Sequence, residues 1–294
     1  MSKLKEIKNE SREYPVFVCL LSYFAFKTLW ILGDKLVREF FNRVIYNVVG
    51  FSIRNYYLSS NELGTLNYKS IANKVDALLV SPDKKTKVNI ELNRYKTATL
   101  INKNNSYLMK LGGEAYAGMD DKYQFNIEVT QINVNSFSSL FDPDYTINEY
   151  GFYNKKTMTE RMNVKIFDIT LPNKENLCYD ISEEFRKDLE MFSATSYEEM
   201  ARIAEGNKER EAVMEALKRL GSDPEFVDYY DHEEFEELEK AELYRNGLAE
   251  GEAKGRAEGQ ADFIKKLIEN GTSIEDISKM SGMSVEDIYA LVKR

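Results

Sequence analysis

Histidine and cysteine are scarce in this 294-residue chain, which contains one histidine and two cysteines. His232 lies in the acidic run of residues 231–234, and charged runs of this kind are usually solvated surface. A zinc site with histidine ligands, a paired-histidine nickase and an HNH-type nuclease all need more histidines, or a better placed one. Cys19 and Cys178 stand far apart and outside any CxxC motif, which indicates structural thiols in a reducing cytoplasm.

Long apolar runs are missing as well. The apolar run of residues 16–26 is interrupted by Lys27 and is shorter than the roughly 20 residues that a helix needs to span a bilayer. Mixed charge precedes the run and no small-residue cleavage site follows it, so a signal peptide is not expected. The run instead predicts a buried helix in a cytoplasmic protein that has no membrane partner.

Charge is distributed unevenly along the chain. Residues 1–175 carry 24 Lys and Arg against 19 Asp and Glu, whereas residues 176–294 carry 16 against 30. A weakly basic first half is compatible with a phosphate backbone, and an acidic second half is repelled by one. The change in composition predicts three domains. They are a first domain over residues 1–175, an acidic helical extension over residues 176–245, and a C-terminal helical module over residues 246–294.

Hydrophobic periodicity in the first half predicts an α/β (α+β) fold, because helices, strands, a helix and further strands follow one another. Phe40, Phe41, Val44 and Ile45 are core candidates on the first helices. A change of phase near Gln131 predicts a β-bulge in the strand that contains it. The predicted helices cover residues 16–49 and 97–117, and the predicted strands cover 74–80, 87–93, 123–134, 145–150 and 158–171.

The hairpin formed by residues 74–80 and 87–93 carries the strongest functional signal. The turn between the strands contains Pro82 and Asp83, which tight turns favour. A turn centred after Asp83 pairs Ala77 with Ile90 and Leu79 with Val88, so that one face is wholly apolar. The same register pairs Asp76 with Glu91 on the opposite face.

Paired carboxylates repel each other unless a cation offsets their charge, and a divalent metal with oxygen ligands does so while activating water and polarising a phosphate. Asp76 and Glu91 are therefore candidate metal ligands. Spacing alone leaves a second interpretation open, in which both are solvated residues on an open sheet face.

Glycine recurs every four residues near the C-terminus, at Gly247, Gly251, Gly255 and Gly259. Four glycines destabilise a helix by roughly 4 kcal/mol relative to alanine, so packing must compensate or the segment is a flexible linker. The segment is predicted to be a helix used in self-association, and charged neighbours exclude a membrane role.

The last 34 residues predict a small helical module, since Ser273 and Ser284 both begin capped helix starts. Their spacing is typical of a helix-turn-helix. A DNA-reading version needs basic or amide side chains at the start of its second helix, where this chain has Glu286 and Asp287. A packing or oligomerisation module is therefore favoured over a sequence reader.

Six short motifs are spread along nearly the whole chain. They are Ala25-Phe26-Lys27, Val75-Asp76-Ala77, Asn89 to Arg94, Lys103 to Leu108, Gln131 to Asn135, and Gly271 to Ile277. In order and spacing they resemble the PD-(D/E)XK nuclease superfamily and, within it, the Rpn-like recombination-promoting nucleases, whose family label includes transposase. Residues 89–94 stand where that family has its E-x-Q, E-x-N or E-x-K element.

The resemblance implies a restriction-endonuclease-like mixed β-sheet flanked by helices, and a DNA endonuclease linked to recombination or mobile elements. It implies Mg²⁺, with Mn²⁺ as an alternative, held by Asp76, Glu91 and the main-chain carbonyl of Leu92. Asn93 replaces the lysine of E-x-K and carries no charge. Lys74, opposite Asn93 in the predicted register, is the candidate replacement for that charge.

Other features of the resemblance leave the activity open. Gln131 and Tyr107 are weaker candidates for supporting the site. Tyr23 stands where related members often have an aspartate, two residues before the Ala-Phe-Lys motif. The alternative function is a catalytically weakened relative that serves as a nucleic-acid-binding or self-associating scaffold.

Overall fold

A computed structural model describes residues 15–59, 76–97, 99–116, 127–137, 145–172 and 177–292. The helices are α1 (Tyr23–Leu32), α2 (Lys35–Val49), α3 (Leu100–Tyr116), α4 (Glu183–Ser193), α5 (Tyr197–Ala204), α6 (Lys208–Gly221), α7 (Pro224–Glu269), α8 (Ile274–Ser281) and α9 (Val285–Val292). The strands are β1 (Tyr57–Leu58), β2 (Ala77–Val80), β3 (Thr86–Asn93), β4 (Glu128–Asn135), β5 (Ile147–Tyr153) and β6 (Glu160–Thr170).

The six strands form one mixed sheet in the order β1-β2-β3-β4-β6-β5. The three central strands β3, β4 and β6 run parallel, and the hairpin strand β2 and the edge strand β5 pair with them antiparallel. Helices cover the sheet, so the predicted α/β class is confirmed. The carboxyl ends of the three parallel strands meet at one edge of the sheet.

The hairpin has the predicted register. Ala77 pairs with Ile90 and Leu79 with Val88, and all four side chains are buried. The turn is closed by a hydrogen bond from Ser81 N–H to the Thr86 carbonyl, 2.9 Å from N to O. The strand begins at Ala77, and Lys74 lies outside the described residues.

The two faces of the sheet bury different partners. The apolar side chains of the hairpin face a large core that also contains Phe40 and Phe41 of α2 and Phe192 of α4. On the opposite face, Leu108 and Leu111 of α3 pack on Val129 and Val164. These apolar contacts occupy one end of that face, and polar residues take over toward the carboxyl ends of the strands.

The predicted bulge near Gln131 is wrong. Strand β4 pairs without interruption from Glu128 to Asn135 with β3, and from Val129 to Asn135 with β6. The alternation of apolar and polar residues changes phase because β4 is buried on both faces. One of these faces is apolar at Val129 and polar from Gln131 onward. The irregularity in the sheet lies instead in β5, between Gly151 and Tyr153.

The helical stretch predicted over residues 16–49 is two helices. Gly33 closes α1 by donating its N–H to the Leu29 carbonyl, and Asp34 caps α2 by accepting from the N–H groups of Leu36 and Val37. Residues 16–22 are not helical, although Val18 to Leu21 are buried as predicted. A capping Asp directly after a Gly is the local signal that separates the two helices.

Helices α4, α5 and α6 share the large core with the sheet. One compact unit accordingly ends at Leu238, and a second begins at Glu239. This division differs from the sequence-based boundaries because the acidic helices bury apolar faces against the same core as the sheet. No helix in the described part of the chain is both long and apolar enough to cross a membrane.

The second unit contains the glycine repeat and the C-terminal module. The four glycines lie within α7, and a Cβ added at any of them meets no atom within 4 Å. The segment is helical, and its role in self-association stays a prediction. The module has a small core of Ile264, Ile277 and Ile288, and Ser273 and Ser284 cap their helices as predicted.

Candidate active site

Polar side chains alternate along the two central strands near their carboxyl ends. Strand β3 carries Asn89, Glu91 and Asn93, and β4 carries the residues that pair with them, Gln131, Asn133 and Asn135. All six are at most 7% exposed. Buried polar groups are costly unless they are hydrogen-bonded, so this concentration of buried polar side chains is the candidate site.

Asp76 and Glu91 meet at this place. The N–H of Leu92 donates to Asp76 Oδ2 at 2.6 Å, which sets the Asp76 carboxylate beside the peptide that follows Glu91. The Glu91 side chain is fully buried, whereas Asp76 is half-buried. The structure therefore brings together Asp76, Glu91 and Leu92, the three residues predicted to hold a metal.

Lys103 of α3 supplies a positive charge that the sequence reasoning missed. Its Nζ lies 3.1 Å from Glu91 Oε2 in an ion pair. The same ammonium group lies 5.8 Å from the centre of the Tyr107 ring, one turn along the helix. Tyr107 thus borders the site through Lys103.

Burial and repulsion perturb both members of this ion pair. Burial and the charge of Asp76 raise the pKa of Glu91 to about 8, and Lys103 limits the rise. Burial lowers the pKa of Lys103, but the charges of Asp76 and Glu91 raise it by more, so it lies above its ordinary value. Such perturbed groups cluster at functional sites.

A chain of side-chain amides holds Glu91 in place. Asn89 donates to Glu91 Oε1 at 3.1 Å and lies 3.4 Å from Gln131 Oε1. Gln131 donates to Asn133 at 3.0 Å, and Asn133 donates to Asp168 of β6 at 2.6 Å. Gln131 therefore forms one link between the carboxylate and the next strand, and its role in supporting the site stays a prediction.

Asn93 is engaged in a separate contact, since its amide donates to Asn135 Oδ1 at 2.9 Å. Two other amide oxygens near Glu91, Oδ1 of Asn89 and Oδ1 of Asn104, are buried and accept no hydrogen bond within the described residues. An unsatisfied buried acceptor costs about 1–3 kcal/mol. Water or a cation is the partner that such oxygens require.

The donor set fits a hard divalent cation that keeps part of its water shell. Magnesium is usually bound through one or two carboxylates and oxygen donors, and Asp76, Glu91 and the Leu92 peptide supply donors of this kind. Within the described ranges, no group of three or more His, Cys, Asp or Glu side chains is arranged to hold a metal ion. The candidate donors are therefore the two carboxylates and the Leu92 carbonyl.

A further carboxyl group approaches the site from α7. Glu233, which is 6% exposed, accepts from the Ser22 hydroxyl at 2.6 Å and from the Tyr23 N–H at 2.9 Å. Burial raises the pKa of Glu233 to about 8, the two hydrogen bonds lower it in part, and the charge of Asp76 adds to the rise. It reaches the chain beside Tyr23.

Replacing Glu233 by glutamine is expected to make stability less dependent on pH. An acid whose pKa is raised in the folded state stabilises the fold below its unfolded pKa of 4.5 and loses that contribution as pH rises toward 8. The parent should lose up to about 1.4 kcal/mol of unfolding free energy per pH unit from this group, and the variant should not. Urea unfolding followed by Trp30 fluorescence at pH 5, 6.5 and 8 measures the difference.

Glu236→Gln is the matched control, because this side chain is exposed on the same helix. If unfolding free energy depended on pH equally in the parent and in Glu233→Gln, the raised pKa of Glu233 would be contradicted. A profile that flattens only in Glu233→Gln would support it.

Some of the candidate site residues that the sequence analysis missed could have been found from the sequence pattern, and others could not. Asn133 and Asn89 alternate with apolar residues on buried strands, and this alternation could have been read. Lys103 and Glu233 lie on helices whose rotation and packing decide what they reach, so their roles required the structure. His232 is exposed, as predicted, and lies 3.4 Å from Glu236.

Comparison of the chain with protein-family models, with curated proteins and with solved structures finds no significant match.

Proposed function

We propose that the protein is a metal-dependent nuclease that hydrolyses phosphodiester bonds in DNA. The observation that carries the proposal is the grouping of Asp76, Glu91 and Lys103 at the carboxyl edge of the sheet. Two carboxylates and an amine on one face provide oxygen ligands for a cation and a positive charge for a phosphate. Ligand sites of open α/β sheets lie at this edge.

Each residue has a chemical role in this proposal. Asp76, Glu91 and the Leu92 carbonyl hold Mg²⁺, with Mn²⁺ as an alternative, and the ion supplies Lewis acidity toward the phosphate and a more acidic water. Lys103 donates to the attacking water or to the oxygen on which negative charge develops. Asn89 orients Glu91 through the hydrogen bond at 3.1 Å.

The remaining expectations are part of the same proposal. The mixed sheet with helices on both faces suits a restriction-endonuclease-like fold, and the order of the six motifs along the chain supports a link to recombination or mobile elements. Lys103 is the source of positive charge in this proposal, because its Nζ contacts Glu91. The predicted candidate Lys74 lies outside the described residues. DNA is the partner that this chemistry requires.

Replacing Lys103 by methionine is expected to slow metal-dependent cleavage about 100-fold, the usual effect of losing one donor to a developing negative charge. Arginine at this position keeps the charge but not the compact amine, so an intermediate rate is expected. The measurement is nicking of supercoiled plasmid by the purified full chain in Mg²⁺, Mn²⁺ or EDTA.

Lys110→Met is the matched control, since Lys110 is exposed two turns along the same helix. This variant should cleave as fast as the parent. Equal cleavage by Lys103→Met and the parent would limit Lys103 to a counter-ion of Glu91. If the parent protein cleaves with neither metal, the scaffold function is favoured. In that function the site has no catalysis, and Asn93 is engaged by its hydrogen bond to Asn135.

A further inference from the structure

A cleft of about 920 Å³ opens at the carboxyl edge of the sheet, on the face that α4 and α5 cover. Its wall includes Arg94, Ser136 and Pro172, which follow the carboxyl ends of β3, β4 and β6. The cleft therefore lies at the same edge of the sheet as Glu91. The hydrogen bond from Ser136 N–H to the Asn93 carbonyl, 3.1 Å from N to O, ties its rim to the polar cluster.

The cleft is basic although the chain as a whole has a net charge of −9. Four cationic side chains line it, and two acidic ones. The cationic side chains are Arg94, Arg186, Lys187 and Arg202. Glu199, one of the acidic pair, is engaged by the N–H and hydroxyl groups of Thr195. Arg202 is exposed and makes no ion pair within the described part of the chain.

Aromatic side chains accompany these cations. Phe17 and Tyr95 line the cleft and are half-buried. The Arg94 guanidinium lies 5.5 Å from the centre of the Tyr95 ring, and the Phe17 ring meets Tyr197 edge to face at 5.1 Å. A basic groove with partly accessible aromatic rings is an arrangement that binds unpaired nucleic-acid strands, because bases stack on the rings.

Internal carboxylates already bind three of these four cations, since Arg94 pairs with Glu234, Arg186 with Glu190 and Lys187 with Glu183. Glu234 of α7 lies 3.0 Å from the Arg94 guanidinium, in the way that a phosphate oxygen binds arginine. Arg94 directly follows Asn93 at the end of β3. The Glu91 side chain lies on the opposite face of the sheet, so a strand whose phosphate reached Arg94 would pass around this edge of the sheet to reach the carboxylates and Lys103.

We propose that this cleft binds a short segment of single-stranded nucleic acid, with Arg94, Arg186, Lys187 and Arg202 contacting phosphates and Phe17 and Tyr95 stacking on bases. The inference rests on the proposed nuclease function and narrows its substrate to DNA that presents an unpaired strand. The volume is within the range of about 300–1,000 Å³ that ligand pockets span, which is large enough for a few unpaired nucleotides.

The test is fluorescence anisotropy of 5′-labelled dT12 with the full chain in EDTA, at a series of salt concentrations. Lys187→Gln with Arg202→Gln is expected to raise the Kd about tenfold and to lower the salt slope by about 1.4, for two lost phosphate contacts to a single strand. Glu234→Gln frees Arg94 and should tighten binding a few-fold.

The matched control is Lys208→Gln with Arg219→Gln, which removes the same charge from exposed positions on α6 outside the cleft and should leave the Kd unchanged. Equal affinity of the cleft variant and the parent would overturn the proposal, as would tighter binding of a 12-base-pair duplex than of dT12. Binding that depends on the cleft in a protein that cleaves no DNA would retain this site and reject the nuclease.

Discussion

Replacing Glu91 by glutamine is expected to reduce plasmid cleavage by about a thousandfold or more while leaving the protein folded. The change removes one of two carboxylates that face each other at the edge of the sheet and retains the shape of the side chain. Loss of a metal ligand removes several kcal/mol of transition-state stabilisation, and each 1.36 kcal/mol is a factor of ten in rate. The measurement is metal-dependent nicking of supercoiled plasmid.

The surroundings of Glu91 explain why the variant should stay folded. Asn89 can still donate to the glutamine Oε1 as it does to Glu91 Oε1, and the half-buried Lys103 can turn its ammonium group toward water. The variant also relieves a carboxyl group whose pKa is raised to about 8 by burial and by Asp76. Glutamine therefore replaces a buried carboxyl group that destabilises the fold when it is ionised.

Two controls make this result specific. Glu128→Gln changes an exposed carboxylate of the same sheet and should cleave at the parental rate. Thermal unfolding followed by Trp30 fluorescence should show a melting temperature for Glu91→Gln at or above that of the parent. Cleavage by Glu91→Gln at the parental rate would assign the activity to another site or to a contaminant.

The hairpin could be predicted from the sequence because a strand has a period of two. Once Ala77 and Leu79 are placed on the core, the pairing with Ile90 and Val88 follows, since a slip of one residue would expose the apolar set. The same register carries Asp76 to Glu91. Local pattern was sufficient here because both strands and their turn lie within twenty residues.

The rest of the site depends on contacts between distant segments. Lys103 reaches Glu91 only because Leu108 and Leu111 fix the rotation of α3 on Val129. Those contacts are spread over three elements, and no spacing in the chain reveals them. Strand β4 was misread for a related reason, because burial on two faces obscures the alternation that a half-exposed strand shows.

Removing the carboxylate of Asp188 is expected to lower the free energy of unfolding by roughly 3–5 kcal/mol, the usual effect of leaving a buried charge without its partner. Asp188 is 1% exposed and accepts from Arg210 Nε at 2.7 Å and from Arg43 Nε at 2.8 Å. Arg210 is 2% exposed. In Asp188→Ala this guanidinium keeps only its contacts to Glu184, whose side chain is mostly exposed.

These ion pairs join three helices. Arg43 lies on α2, Asp188 on α4 and Arg210 on α6, and all three helices pack on the apolar face of the sheet. Urea unfolding followed by Trp30 fluorescence measures the loss. Lys218→Gln, which breaks the exposed contact to Glu215 at 3.0 Å, should cost less than about 1 kcal/mol. If Asp188→Ala lost no more unfolding free energy than Lys218→Gln, the prediction would be wrong.

The double variant Asp188→Leu with Arg210→Met separates the penalty of an unpaired charge from the contribution of the pair. Apolar replacements of similar volume are often neutral or stabilising where a buried ion pair stood, and Arg43 and Glu184 are exposed enough to turn to water. The double variant should therefore be more stable than Asp188→Ala, with a coupling energy of about 1–3 kcal/mol. The double variant would be additive if it lost as much unfolding free energy as the single variants Asp188→Leu and Arg210→Met together. That result would show that the ion pair itself holds α4 against α6.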